Sequence, residues 1–465
     1  LQQFGDQQEM VMRQRWPALM TDLYELTMAA GYFENDIRHP ASFELFVRDM
    51  PACRNYLLAA GLAQALEYLT QLRFTDSEIE FLRRLPIFTQ VSDAFFAYLK
   101  EFRFTGDVWA LPEGTPFFSN EPILLITGPI IEAQILETYL LSIINFETAI
   151  ASKAARVVEA AQGRPVIEFG ARRAHSMDSA LYGARAAFIG GCAGTSNVEA
   201  GYTFGIPIFG TAAHSWTMAF STEAEAFAAY FRVFPDSTTL LLDTYDTLAA
   251  AREATQLGPE IRGVRLDSGD IIELSKQVRH ILNEAGMSET KIVVSSDLDE
   301  YRITELLAAE APIDIFGVGT QLSVSYDAPT LGGVYKLVEQ VVNGRVEYKM
   351  KLSAEKATYP ARKQVWRTVD EHGDYAYDVI GLIDEDPPEH AFPLLKQFIK
   401  DGRTGIQYPS LKEIQQHARD NLRHLPARYR KIKDAAQYEV RISGQLEALR
   451  ERVTSELYSM QMIGQ

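Results

Sequence analysis

Between about Pro165 and Glu339 the chain keeps returning to one pattern. A short apolar run stops at a cluster of Gly, Asp, Ser, Thr or His, and a stretch of helical periodicity often follows. The runs occupy 166–169, 187–189, 206–209, 240–242, 263–264, 292–294, 313–316 and 334–337. Short strands alternating with helices predict a parallel sheet, and about eight such units predict a closed (β/α) barrel more than an open sheet. The spacing is uneven, so the units are not a sequence repeat. Ahead of this region, 21–33, 61–72 and 76–85 read as helices and 43–47 as a strand. Behind it, two strands flank Asn343-Gly344, a strong hairpin signal. The end, 410–465, is charged and helical in pattern.

These patterns predict an α/β protein: an irregular (β/α) barrel with a second α/β domain built from N-terminal and post-barrel segments. The expected boundaries are 1–130 for the N-terminal domain, completed by about 341–400. The barrel, carrying the active site, takes 131–340, and a C-terminal helical segment takes 401–465.

Charge narrows the function. The net charge of −17 argues against general binding to nucleic acid or membranes, while leaving room for a local basic pocket. Two cysteines, Cys53 and Cys192, can build neither a disulfide framework nor a four-cysteine zinc site, so no zinc is expected. A reducing cytoplasm is the default compartment. The apolar stretch 123–131 is too short to span a bilayer and is broken by Gly128 and Pro129. Residues 1–15 are mostly polar, lack an apolar signal core and are expected to form a mobile extension.

The polar tails of the barrel runs carry the chemistry. In a barrel they converge on the carboxyl face around one pocket. The most informative tail is Arg265-Leu266-Asp267-Ser268-Gly269-Asp270, followed by a helix marked by Ile271, Leu274, Val278, Ile281 and Leu282. Arg265 can grip an anion, and Asp267 and Asp270 can take hydroxyls or a magnesium ion. A capped βα turn is the alternative reading of the same residues. His214, after a Gly-Thr turn, can act as a general base or a phosphoryl acceptor, with Asp243 expected to hold its tautomer. Arg172 and Arg173 are either solvated or phosphate contacts. Gly317 and Gly319 would let backbone approach a phosphate, although Gly-x-Gly alone marks a turn more often. Phe169 and Tyr24 read from pattern alone as core residues.

Together these segments resemble bacterial nicotinate phosphoribosyltransferases over essentially the whole chain. The matching stretches are 19–24, 168–175, 194–197, 210–215, 265–270, 317–320 and Lys351-Leu352-Ser353. The resemblance implies ATP-dependent joining of nicotinate to phosphoribosyl pyrophosphate, giving nicotinate mononucleotide and pyrophosphate, with Mg2+ and a phosphohistidine at His214. It implies a homodimer with shared active sites. Phe169 and the partner's Tyr24 would sandwich the pyridine ring. Arg265 would meet the carboxylate, Arg172 the phosphates, and Asp267 the ribose or its magnesium. Ser268 and Gly269 would belong to the same substrate site, and Gly317, Gly319 and Thr320 would line the 5′-phosphate. Relatives that prefer nicotinamide carry Asp where this chain has Ser196, so Ser196 favours the acid. A cysteine zinc knuckle found in some relatives is missing. Two rivals remain: a transferase for nicotinamide or another pyridine carboxylate, and a non-catalytic nucleotide sensor.

Overall fold

The computed structural model describes residues 18–352, 358–405 and 407–463. The expected extension 1–15 and Ser353 lie outside the described residues.

The barrel-like core is a six-stranded sheet in the order Gly194–Thr195, Val166–Glu168, Ile315–Val318, Lys291–Val294, Gly263–Leu266, Thr239–Leu241. Every neighbouring pair is parallel. A single parallel bridge from Thr195 to Ile208 extends the curve by one more position. The strands are short and apolar because both faces are covered. Val264, Leu266, Ile292, Val294, Phe316 and Val318 all lie in one buried cluster with residues from the outer helices. Those helices include Met177–Ile189, Thr247–Thr255, Ile271–Glu284 and Glu300–Ala308. Three of them start on an aspartate N-cap, Asp246, Asp270 and Asp299, whose carboxylate accepts a backbone N–H of the first turn. Asp270 is therefore the cap that the sequence allowed for.

Three expected barrel strands are corrected. Run 187–189 is the end of helix Met177–Ile189, which packs on helix Glu137–Ala160 and is buried at Gly183 through Ile189. A helix buried on all sides carries the same short apolar run as a buried strand. Run 206–209 makes only the bridge at Ile208, since Pro207 has no N–H to give a ladder. Run 334–337 sits in a different sheet.

That second sheet is antiparallel, in the order Arg345–Tyr348, Gly333–Val342, Pro40–Val47, Pro122–Pro129, Asp107–Ala110, Lys396–Lys400, Arg403–Thr404. The part that returns to the N-terminal sheet thus begins at Gly333, earlier than the expected 341. Asn343 (φ 50°) and Gly344 (φ 75°) form the two-residue hairpin turn. A third sheet, Ala391–Pro393, Lys363–Val369, Tyr375–Leu382, Val440–Ile442, takes its last strand from the segment expected to be helical. That segment otherwise holds helices Leu411–His424, Ala427–Arg430 and Gly444–Ile463. Helix Glu137–Ala160 joins the units: Tyr139, Leu140 and Ile144 lie in the buried cluster of the antiparallel unit with Phe43, Leu45 and Leu124, and Ile150, Ala154 and Val157 in the barrel core. Among the described residues, no helix is long and apolar enough to cross a membrane.

Candidate active site

Register brings the site together. Leu241 aligns with Arg265, Arg265 with Val293, and Val293 with Ile315. Two residues further on, the same alignment sets Asp243, Asp267, Ser295 and Gly317 side by side at the carboxyl ends. Side chains two apart point to the same side of a strand, so Arg265 and Asp267 share a face.

Arg265 is at the centre. Its Nε donates to Ser295 Oγ (2.7 Å), Nη1 to Thr211 Oγ1 (2.8 Å) and Nη2 to Asp267 Oδ1 (2.7 Å). Ser295 Oγ in turn donates to Asp267 Oδ1. Burial alone would raise the Asp267 pKa. The Ser295 hydrogen bond, then the Arg265 charge, outweigh burial and hold the carboxyl below the usual aspartate value. Asp267 Oδ2 points elsewhere and lies 3.9 Å from His214 Nε2.

His214 opens the short helix His214–Met218, and its Nδ1 lies 3.2 Å from Thr244 Oγ1. The expected partnership with Asp243 is corrected. Asp243 Oδ2 accepts from Ser268 Oγ, and its buried Oδ1 has no hydrogen-bond partner. The neighbouring hydroxyl reaches the imidazole instead, because Asp243 is drawn toward the loop after Asp267.

Phe169 supplies a ring beside the guanidinium, with Arg265 Cζ 5.7 Å from its centroid. A Cβ on Gly317 would stand 2.5 Å from this ring, so the missing side chain at Gly317 is what seats Phe169. Gly319 is open, its nearest neighbour being the Phe169 carbonyl, and Thr320 starts the short helix Thr320–Ser323. Glu168, buried, accepts from Thr195 Oγ1 (2.6 Å) and from the Gly170 N–H. Burial pushes its pKa up. The Glu168 carbonyl accepts from Ser196 N–H (2.9 Å), which fixes Ser196 next to Phe169. Gly269 adopts φ 86°, the left-handed turn that swings the chain from Ser268 to the Asp270 cap.

Two expected residues make no hydrogen bond to the Arg265–Asp267–Ser295 network among the described residues. Arg172, with Arg173, is exposed on the single turn Ala171–Arg173. Tyr24 lies on helix Leu23–Glu34 of the antiparallel unit, where its hydroxyl hydrogen-bonds Glu137 and burial raises its pKa. Among the described residues no ring contact joins Tyr24 to Phe169. Tyr24 sits among exposed Met20, Leu23 and Met28. Ser295, Thr211 and Thr244 are the site residues that sequence reasoning did not single out. Each lay within a polar tail, and the alignment of strand ends was the signal that could have found Ser295 and Thr244; Thr211 follows a run with a single bridge and had no such signal.

Parallel strands that end in a guanidinium, a paired carboxylate, a histidine and an aromatic platform define an α/β-barrel enzyme site for a small planar anion. The chain belongs to the nicotinate phosphoribosyltransferase family: the family signature matches 165–369, with the family's N-terminal domain matching 19–145 and its C-terminal domain 388–450. It is 46% identical to a nicotinate phosphoribosyltransferase of Mycobacterium tuberculosis over 97% of both chains. It is 41% identical to that of Bacillus subtilis, covering 92% of this chain and 93% of the relative. The crystal structure of human nicotinic acid phosphoribosyltransferase superposes with a TM-score of 0.83 at 29% identity, covering 93% of this chain and 100% of the human one.

Proposed function

We infer that the protein transfers phosphoribosyl from phosphoribosyl pyrophosphate to nicotinate, giving nicotinate mononucleotide and pyrophosphate in NAD salvage. The observation that carries this reading is the Arg265 guanidinium held beside the Phe169 ring. It offers a planar face for the pyridine and a fixed cation for its carboxylate. The ring nitrogen forms its bond to ribose C1 as the C1–O bond to pyrophosphate breaks. The pyridinium charge appears on the ring while the leaving group carries off the electron pair. The protein's part is to align the two reactants and neutralise the leaving charge. Arg172, exposed and without an ion-pair partner among the described residues, is free to meet the phosphates, and Gly319 leaves its backbone open to the 5′-phosphate. Ser196 adds no negative charge beside the carboxylate.

A magnesium ion fits the donor set. Asp267 Oδ2 is outside the Arg265–Ser295 clamp, and buried Asp243 Oδ1 is unpaired. One or two carboxylates plus substrate phosphates are what this ion normally takes. Asp267 and Asp243 would hold it, and it would supply charge neutralisation for pyrophosphate.

ATP is the proposed co-substrate and His214 the phosphoryl acceptor. With Thr244 accepting from Nδ1–H, the lone pair stays on Nε2, the atom facing Asp267. The γ-phosphoryl would form an N–P bond there as ADP leaves, and water would later return it as phosphate. Nicotinate turnover, run with ATP labelled in its γ-phosphoryl, tests both steps. Product and acid-labile, base-stable label on wild type but not on His214→Ala are expected. Product without label on wild type would refute the phosphohistidine.

A homodimer is the proposed assembly, with Tyr24 completing the partner's site. The exposed apolar face of Tyr24, Met20, Leu23 and Met28 supports it. Two inactive variants, Tyr24→Ala and Arg265→Ala, are mixed and allowed to exchange subunits. Shared sites restore activity, because a mixed dimer has one site with neither defect. No recovery despite confirmed exchange refutes sharing.

A further inference from the structure

We propose that Ser295 is a positioning residue: it sets the orientation of the Arg265 guanidinium and thereby the preference for a carboxylate over a carboxamide. The proposal rests on the assignment of Arg265 to the nicotinate carboxylate.

A guanidinium carries five N–H donors and no acceptor. Three are spent inside the protein, on Ser295, Thr211 and Asp267. One N–H then remains on each terminal nitrogen. Two neighbouring donors match the two oxygens of a carboxylate. A carboxamide offers one oxygen and an NH2, so one donor would face another.

The proton count makes Ser295 the pivot. Arginine cannot accept, so Ser295 Oγ accepts from Nε. Its single proton is then available for Asp267 Oδ1, which also accepts from Nη2. Three side chains close a ring in which each bond fixes the next. Removing the hydroxyl leaves Nε without its acceptor and takes one of the two donors from Asp267 Oδ1. The guanidinium can then turn, and its spare donors no longer face one direction.

Ser295 is built to stay still. It is buried, its N–H donates to the Leu266 carbonyl (3.0 Å), and its Cβ would lie 3.3 Å from a Cβ on Gly317. The next residue, Ser296, holds φ 104°, a backbone conformation costly for a side chain with a Cβ.

The test measures KM and kcat separately for nicotinate, nicotinamide and phosphoribosyl pyrophosphate, with calorimetric nicotinate binding and a melting temperature for each protein. Hydrogen bonds to charged groups are worth about 1.5–3 kcal/mol, and about 1.4 kcal/mol is tenfold. For Ser295→Ala, nicotinate KM and Kd should therefore rise about tenfold. Phosphoribosyl pyrophosphate KM should stay within about twofold, and the nicotinate-to-nicotinamide ratio of kcat/KM should fall about tenfold. Ser295→Cys keeps the volume with a weak acceptor and should move the same way; it decides the matter if the alanine variant misfolds. An equal loss for acid and amide, a change in kcat alone, or no change overturns the proposal. Wild-type turnover separates the two levels. A wild type that makes no product from nicotinate overturns the reaction and this proposal together. An active wild type with an unselective Ser295→Ala overturns only the proposal.

Discussion

Arg265→Lys keeps the positive charge at the centre of the site and removes its geometry. Lysine has one ammonium with three donors, whereas Arg265 already donates three hydrogen bonds to Ser295, Thr211 and Asp267. The ammonium can satisfy Asp267 and one hydroxyl, leaving at most one donor for substrate. The carboxylate loses one of two charge-assisted bonds and the fixed direction of the other. At about 1.5–3 kcal/mol each, the net loss is about 3 kcal/mol, or roughly two powers of ten in nicotinate affinity. Nicotinamide, which cannot use both donors, should lose about tenfold or less. Calorimetric titration with each ligand, and kcat/KM for each, read this directly. A nicotinate Kd within about threefold of wild type would show that Arg265 acts only as a diffuse charge, and the reasoning from its bonding would fall.

Gly317→Ala drives a methyl into the Phe169 ring, so nicotinate KM should rise well above that for phosphoribosyl pyrophosphate; equal effects would point to a phosphate role instead. Thr244→Val should lower the label that His214 takes up from ATP labelled in its γ-phosphoryl, because the Thr244 hydroxyl lies against the imidazole; unchanged labelling would contradict that contact. Ser196→Asp places a carboxylate beside the nicotinate carboxylate and should cost nicotinate kcat/KM about a few kcal/mol, with the nicotinamide value as the control. Stability should also report a buried group far from the pocket. Glu147 shares the Arg185 guanidinium with Glu113, and burial pushes its pKa up to about 7. Folded protein therefore binds a proton that the unfolded chain releases above its ordinary carboxylate pKa. The stabilisation is present below that value and is lost as pH rises toward 7. Glu147→Gln should flatten the fall in melting temperature between about pH 5 and 7, and an unchanged slope would contradict the assignment.

Much of this was legible in the chain because short apolar runs stop abruptly at polar residues. Strands 263–266, 291–294 and 315–318 follow from their runs, and with them the level at which Arg265, Asp267 and Gly317 meet. The failures share a physical cause. Run 187–189 is as apolar as a strand because the second half of its helix, from Gly183 on, is buried on every side, and local composition does not distinguish the two. Run 334–337 alternates like a strand and is one, but its partner, Pro40–Val47, lies far away in sequence. Asp243 looked like the natural partner for His214 because carboxylates usually orient imidazoles. A single step along the loop instead gives that place to Thr244. Ser295 was hidden for the opposite reason: serine after a strand is ordinary, and only its two bonds to Arg265 and Asp267 distinguish it.

The central claim is that this barrel face makes nicotinate mononucleotide from nicotinate. The direct measurement is product analysis by mass spectrometry after the purified protein meets phosphoribosyl pyrophosphate, Mg2+, ATP and an equimolar mixture of nicotinate and nicotinamide. Nicotinate mononucleotide should accumulate with stoichiometric pyrophosphate, in large excess over the amide product, and Arg265→Ala should abolish it. Equal use of both pyridines, a preference for the amide, or no mononucleotide at all would contradict the account.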